Sequence, residues 1–474
     1  MRVLDQHYIN GRFVTSRGSE VLELTNPATK EVIGRLTLGN EEDVREAISA
    51  AKAAFASFSK TTIEERISLL QRLHDRIMEN EEQLTKAAVE EYGSPISATR
   101  GRTVFSAKTC LYTIEALKNF LFEKMSGTTK VILEPLGVIG AITPWNANYT
   151  HICNKIAPAI ATGCTIVVKP SELSGTQTQL LMECIADVGF PPGVVNIVNG
   201  TGAVIGTEMT NHPDIAKISF TGSTHVGKII ARGAADTLKR LALELGGKNP
   251  NVILDDADFA KAIPLAVQIG LSNTGQACHA GTRILVPEQR MEEVTSLIRQ
   301  SVASTKMGSP TDPDSVLGPL VNQKQYETVQ RYIQSGLDEG ADLITGGLGH
   351  PEGLEHGWFA RATVFTNVKN DMKIAKEEIF GPVLSVISYR TEEEAIAIAN
   401  DTVYGLAAYV SSSDLSRARR VASKLIAGRV LINKGAHDDP YAPFGGFKQS
   451  GLGRDSGVYG LEEHVEPKAI LGYE

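Results

Sequence analysis

The sequence is poor in cysteine, and the five it has, Cys110, Cys153, Cys164, Cys184 and Cys278, are scattered over 474 positions with no C-x-x-C pair. That pattern excludes a disulfide framework and a thiolate zinc site, and no metal is expected. Most of these thiols are expected to pack as small hydrophobes, leaving at most one or two for chemistry. No run approaches the roughly eighteen apolar residues of a membrane-spanning helix. An excess of positive charge is also missing: 47 basic against 55 acidic side chains give a net charge of −8, which argues against nucleic acid or an anionic membrane as a general partner. There is no internal repeat and no low-complexity tract. The opening MRVLDQHYINGRFV has no apolar core segment, so no secretory signal is read there and a cytoplasmic protein is expected.

What is present is the composition of a soluble globular protein, 42% hydrophobic and 22% charged, long enough for two or three domains around a cofactor. Ile63, Ile67, Leu70, Leu73 and Ile77 recur at helical spacing and predict an amphipathic helix. From residue 137 short apolar runs alternate with helical stretches: GVIGAIT, TIVVK, a helix near 175–188, VVNIV, KISF, a helix near 224–235, and LALEL. This reads as β-α-β units on a mostly parallel sheet. A second series follows, with NVILD, ILVP, a helix near 321–338, VLSVISY, helices near 391–400 and 414–427, and RVLIN, so a second α/β domain is expected beyond Gly246 and Gly247.

Cys278 lies in NTGQACHAGTR, a small-residue stretch that reads as a loop or helix start where a thiol can be exposed and ionised. On its own the residue more often reads as an inert packed thiol. Glu244 ends the apolar run LALEL; partial desolvation there would raise its pKa and suit it to general base work, while the competing reading is a solvent-facing Glu on an alternating strand. Two runs resemble phosphate cradles with flaws. GTGAVIG, residues 200–206 and containing Gly202, is one residue too long for the dinucleotide fingerprint, and GSTHVGKI, containing Gly222, Ser223 and Gly227, carries Ile229 where a P-loop needs Ser or Thr. The second run still offers a strand, a tight turn and a helix N-terminus, which suits a pyrophosphate. Lys169 and Glu172 follow a strand, with Pro170 placing both in a loop at its carboxyl end; they read as a ribose-binding pair or as an exposed ion pair.

Taken in order, TPWN (143–146), KPSE (169–172), FTGS (220–223), ELGGK (244–248), GQAC (275–278), EEIFGPV (377–383) and PFGGFKQSGLGR (443–454) resemble the aldehyde dehydrogenase superfamily, over nearly the whole chain and with 34 residues between Glu244 and Cys278. The resemblance implies a fold of the α/β class: a Rossmann-like NAD-binding domain (1–117 and 137–246), an α/β catalytic domain (247–447), and a β oligomerisation arm with the C-terminal tail (118–136 and 448–474). It implies oxidation of an aldehyde to a carboxylic acid with Cys278 as nucleophile, Asn146 as oxyanion donor beside the Cys278 N–H, and Glu244 as the base that activates water against the thioester. Lys169 is carried over both with these and with the cofactor set, Trp145, Glu172, Gly202, Gly222, Ser223, Gly227, Leu245, Glu378 and Phe380. A carboxylate at Glu172 favours NAD, with NADP possible. A homodimer or homotetramer follows by resemblance.

The chain departs from the pattern after TPWN, where relatives carry Phe-Pro and apolar residues. Ala147, His151 and Asn154, with His279, Asp438 and the neighbouring His437 and Asp439, predict a wider, more polar aldehyde tunnel and a substrate bearing hydroxyl or amine groups. Arg283 offers itself as a carboxylate anchor or as a structural residue, so semialdehydes remain open. Retention of Glu244 disfavours release of the acyl group to coenzyme A, and an inactive binding or structural relative is disfavoured by the intact Cys278, Asn146 and Glu244.

Overall fold

The computed structural model describes residues 2–435 and 439–473. Five strands form the parallel core of an eight-stranded sheet: β1 (Val138–Ile142), β2 (Thr165–Lys169), β3 (Val195–Ile197), β4 (Ile215–Thr221) and β5 (Arg240–Glu244), in the spatial order β5-β4-β1-β2-β3. β1 and β2 are buried at every position, as strands covered on both faces must be, which is why they read as unbroken apolar runs. The order reverses between β1 and β4, and such a switch point opens a crevice outside the carboxyl ends of the strands. Antiparallel strands close the flanks, Gln6–Ile9 and Arg12–Thr15 beside β3 and Gly451–Leu452 beside β5.

The helices that bear on the site are α1 (Ile63–Glu79), α2 (Ile96–Lys118), α3 (Asn148–Thr162), α4 (Gly175–Val188) and α5 (Thr224–Ala234), while Glu41–Phe58 also packs on this sheet. α1 starts at a capping box in which Thr62 and Glu65 bond each other's backbone N–H, and it buries Leu70, Leu73 and Ile77 as the periodicity predicts. Truncating one of these leucines to alanine is expected to cost about 2–5 kcal/mol.

The chain leaves the first sheet at Glu244 and enters the second at Pro250. The second sheet has six parallel strands, β6 (Pro250–Ile253), β7 (Arg283–Pro287), β8 (Thr363–Thr366), β9 (Val383–Tyr389), β10 (Ala407–Ser411) and β11 (Arg429–Ile432), in the order β8-β9-β7-β6-β10-β11, with Asp342–Thr345 antiparallel at the β8 edge. Helix α6 (Phe259–Gly270) links β6 to the loop before β7. Glu123–Ser126, Thr129–Pro135 and Val465–Ile470 form a separate antiparallel three-stranded sheet, and Arg2–Leu4, Val32–Thr37 and Val21–Thr25 form a mixed one, with Arg2–Leu4 parallel to Val32–Thr37.

The expected α/β class is the class observed. Three details differ from the sequence reading. Lys169 is the last residue of β2 and buried rather than in the loop after it. The helix expected over 414–427 runs only from Leu415 to Ala422, after which the chain turns towards β11. α2, α3 and β10 are not among the expected elements; in α2, exposed and buried positions both mix polar with apolar residues, so no stripe makes its period visible.

Candidate active site

The parallel register brings the chemical motifs to one edge. Ile142 pairs with Lys169 and with Phe220, and Thr221 pairs with Glu244, so the segments that follow all leave the sheet on the same side. Thr143 to Asn146 follow β1, Gly222 and Ser223 follow β4, and Glu244 ends β5.

Opposite this edge lies the loop between α6 and β7 that carries Cys278. Cys278 is half-buried while the other four cysteines are buried, which separates one reactive candidate from four packing residues. The loop is held by neutral amides. Asn249 Nδ2 donates to the carbonyls of Cys278 (2.8 Å) and Ala280 (2.9 Å). Gln276 donates to the Pro319 carbonyl (3.3 Å) and accepts from the Val321 N–H (3.0 Å). Asn273, at φ 56°, donates to the carbonyls of Asn146 (3.3 Å) and Gln276 (3.0 Å). Gly275 has φ +72°, and a Cβ there would stand 2.0 Å from the Gly381 carbonyl oxygen, so the turn before the cysteine admits only glycine.

A cavity of about 420 Å³ is lined by Cys278, Asn146, Glu244, Ala147, His151, Asn154 and His279 among others. Sequence reasoning had named all seven. Asn146 is buried and gives one N–H to the Gln276 carbonyl at 3.0 Å; a carboxamide has a second. Glu244 is 3% exposed, and neither carboxylate oxygen has a hydrogen-bond partner among the described residues. Burial therefore holds its pKa well above the usual carboxylate range, with Asp455 adding to the effect and Lys155 opposing it. His151 is pushed down to about 4, chiefly by burial and then by Lys155, so it is neutral at physiological pH. Asp438 and His437 lie outside the described residues. Arg283 is structural: it is fully buried and donates to the carbonyls of Lys248, Ile398 and Ala399 and to Asn370.

The remaining named residues lie away from this cavity. Lys169 Nζ and Glu172 Oε2 are paired at 3.0 Å, the carboxylate one-third exposed. Two helices begin near this edge, and their N-termini differ. The backbone N–H groups of Thr176 and Gln177 in α4 are taken by the buried Glu91 carboxylate, at 2.7 and 3.0 Å. α5 is capped only by the exposed Ser223, through the Val226 N–H at 3.3 Å, which leaves this N-terminus able to receive an anion. Gly227 and Leu245 touch each other: a Cβ on Gly227 would lie 2.6 Å from the Leu245 side chain, so the pair lets α5 approach β5 closely. The GTGAVIG run forms a π-turn over Gly202–Gly206, capped by Thr201.

Trp145 meets Phe380 edge-to-face at 5.6 Å. Phe380 has φ 58°, a conformation that costs a bulky residue about 1–3 kcal/mol and marks a position the surroundings enforce. Glu378 Oε1 accepts from the Gly247 N–H at 3.2 Å, and burial pushes this carboxyl up to about 7. The unblocked α5 N-terminus, the Lys169–Glu172 pair and this half-buried carboxylate fit the phosphates and hydroxyls of a dinucleotide.

Sequence reasoning missed one wall of the cavity. Ala98, Arg102, Phe105, Thr109 and Thr113 of α2 line it at three- and four-residue spacing, and Asp455, paired with Lys155 at 2.7 Å, lines it from the C-terminal segment. No motif marks these residues; their spacing on one helix was the available signal.

Comparison with known proteins gives a consistent picture. The model of the Aldehyde dehydrogenase family matches residues 13–470. The chain is 46% identical to a 3-succinoylsemialdehyde-pyridine dehydrogenase of a Pseudomonas species, over the full length of both. Among solved structures, aldehyde dehydrogenase C of Pseudomonas syringae, as a mutant complexed with NAD+ and octanal, superposes with a TM-score of 0.98 at 45% identity, covering 99% of this chain and 97% of that one. Betaine aldehyde dehydrogenase of Staphylococcus aureus, complexed with NAD+, superposes at 0.96 with 37% identity, covering 98% and 94%. No helix among the described residues is long and apolar enough to cross a membrane.

Proposed function

Because the chain belongs to the aldehyde dehydrogenase family and oxidises an aldehyde with NAD, we propose that Cys278, Asn146 and Glu244 carry the reaction. The Cys278 thiolate attacks the carbonyl carbon, forming a carbon–sulfur bond and a tetrahedral thiohemiacetal. Asn146 stabilises the oxygen through its second N–H, together with the Cys278 backbone N–H. NAD supplies the two-electron acceptor when bound. Glu244 then takes a proton from water, the hydroxide adds to the thioester carbon, and the carbon–sulfur bond breaks to release the acid and restore the thiol. The observation that carries this reading is the presence of all three groups in one cavity, with both Glu244 oxygens buried and unpartnered.

Lys169, which the resemblance places in both sets, pairs with Glu172 to bind the adenosine ribose, the exposed cap at Gly222 and Ser223 receives the pyrophosphate, and Glu378, Phe380 and Trp145 hold the nicotinamide end. Gly202 lies beside this path, while Gly227 and Leu245 act by packing. The aldehyde is polar: Ala147 widens the lining, and His151, Asn154 and His279 bring polar groups to it. Residues 1–117 and 137–246 form the NAD-binding domain, 247–447 the catalytic domain, and 118–136 with 448–474 the arm and tail. The outer edge of Glu123–Ser126 pairs with no described strand and its residues are exposed, which supports use of this small sheet in a cytoplasmic homodimer or homotetramer.

The test is NADH formation at 340 nm across alkyl, aromatic, hydroxy, amino and carboxy aldehydes, wild type beside Cys278→Ala, without coenzyme A. Activity lost in the variant supports the thioester route. A strict requirement for coenzyme A would remove Glu244 from its role, and kcat/KM rising steadily with alkyl length above every polar aldehyde would remove the polar tunnel.

A further inference from the structure

The cavity that holds Cys278 also holds a cation with no counter-ion among the described residues. Arg102 of α2 is half-buried in the cavity wall, and no described carboxylate lies within ion-pair distance of it. Its Nη1 donates to Ser94 Oγ at 2.8 Å and to Asn273 Oδ1 at 2.6 Å, while Nε and Nη2 bond no described residue. A guanidinium has five N–H donors, so much of this fork is unused. The buried arginines differ. Arg283 spends its fork on three carbonyls and Asn370, and Arg66 bonds Thr61 and the carbonyls of Ser59 and Ala161. A guanidinium held in a cavity wall with donors unused and no described anion beside it is prepared for an anion that arrives.

The described carboxyl groups at the cavity do not supply that anion. Asp455 is committed to Lys155, Asp439 accepts from the Tyr441 N–H at 3.0 Å, and burial favours the neutral form of Glu244. Nor is Arg102 remote from the reacting centre: the same Asn273 that accepts from it donates to the Asn146 and Gln276 carbonyls. An anion on Arg102 therefore belongs to a short molecule whose other end is at Asn146.

We propose that Arg102 is a specificity-determining residue that binds a carboxylate on the aldehyde, so that short aldehydes ending in a carboxylate are preferred substrates. The inference deepens the reading of Cys278 and Asn146 as the reacting centre and rests on it. Two or three charge-assisted hydrogen bonds form between the fork and the carboxylate oxygens, and no bond in the oxidation itself changes.

The experiment compares kcat/KM, with NAD, for 4-oxobutanoate and its methyl ester, which differ at the far end only. Wild type is expected to prefer the acid by about 10- to 100-fold, from the strength of hydrogen bonds to a charged group. Arg102→Gln should bring the ratio to about one, chiefly through KM, and Arg102→Lys, which keeps the charge and loses the fork, should recover part of it. If Arg102 only tethers Asn273, both substrates fall together and the ratio stays, which overturns the proposal; so does a wild type without preference. Succinate should inhibit wild-type oxidation of butanal competitively and at lower concentration than dimethyl succinate, a readout that needs no variant, and equal inhibition by the two overturns the proposal. Activity surviving in Cys278→Ala would overturn the reaction-centre reading instead, so the two failures are told apart.

Discussion

The two sides of the site are built by different means. On the side proposed for the cofactor the groups sit where parallel strands end: Lys169 closes β2, Gly222 and Ser223 follow β4, and the backbone of a helix N-terminus is left open to an anion. On the aldehyde side the wall is a helix face, Arg102, Phe105 and Thr109 of α2 opposite Ala147 and His151, and side chains alone define it. Recognition by backbone needs glycines and small caps at fixed offsets and leaves a motif. Recognition by side chains on a helix can change residue by residue and leaves none.

Substitutions can sharpen or break this contrast. The largest effect is expected from Cys278→Ala, a loss of about 10⁴-fold or more in kcat with NAD binding by calorimetry unchanged, since the thiol serves the aldehyde side alone. Weakened NAD binding would show the two sides to be coupled. Asn146→Ala should lower kcat by about 10²–10³-fold, measured in single turnovers.

Glu244→Gln should slow deacylation by about 10²–10⁴-fold, leaving a burst of NADH that steady-state turnover does not follow. In wild type, kcat should rise with pH through the elevated pKa of this carboxyl, and the variant should lack that limb. The sign for stability is opposite. A carboxyl whose pKa is raised by folding holds its proton longer in the folded state than in the unfolded one, so it opposes folding increasingly as pH rises above the ordinary carboxylate value. The Tm of Glu244→Gln should therefore exceed that of wild type by a margin that widens from about pH 4.5 upwards, where wild-type Glu244 begins to pay for burial.

Gly275→Ala should destabilise the fold by about 2–4 kcal/mol in denaturant titration, because its Cβ meets the Gly381 carbonyl and its φ is left-handed. The smallest effect is expected from Glu172→Gln, about a tenfold fall in the preference for NAD over NADP, as the ribose loses a charged acceptor and a 2′-phosphate loses a repelling neighbour.

The same contrast explains what could be read in the sequence. Cys278, Glu244 and Asn146 were legible because each sits in a short string whose glycines or prolines serve the turn that presents it. β1, β2, β4 and β5 were legible because buried parallel strands are continuous apolar runs. Arg102 was not. α2 packs on the core with one face and on the cavity with the other, so ISATRGRTVFSAKTCLYTIEALK shows no polar stripe, and an arginine there looks like any surface cation until the cavity is seen. Lys169 was placed one position too far along because Pro170 marks the end of a strand without revealing whether its last side chain is buried.

The fastening of the nucleophile loop has a consequence for the surroundings in which the protein can work. Asn249, Asn273 and Gln276 secure the loop with uncharged dipoles that neither titrate nor attract counter-ions. Dissolved salt weakens exposed pairs such as Arg45 with Glu208, and leaves buried amide contacts nearly untouched. The amide contacts that fasten the loop are thereby less sensitive to ionic strength than the ion pairs of the outer surface.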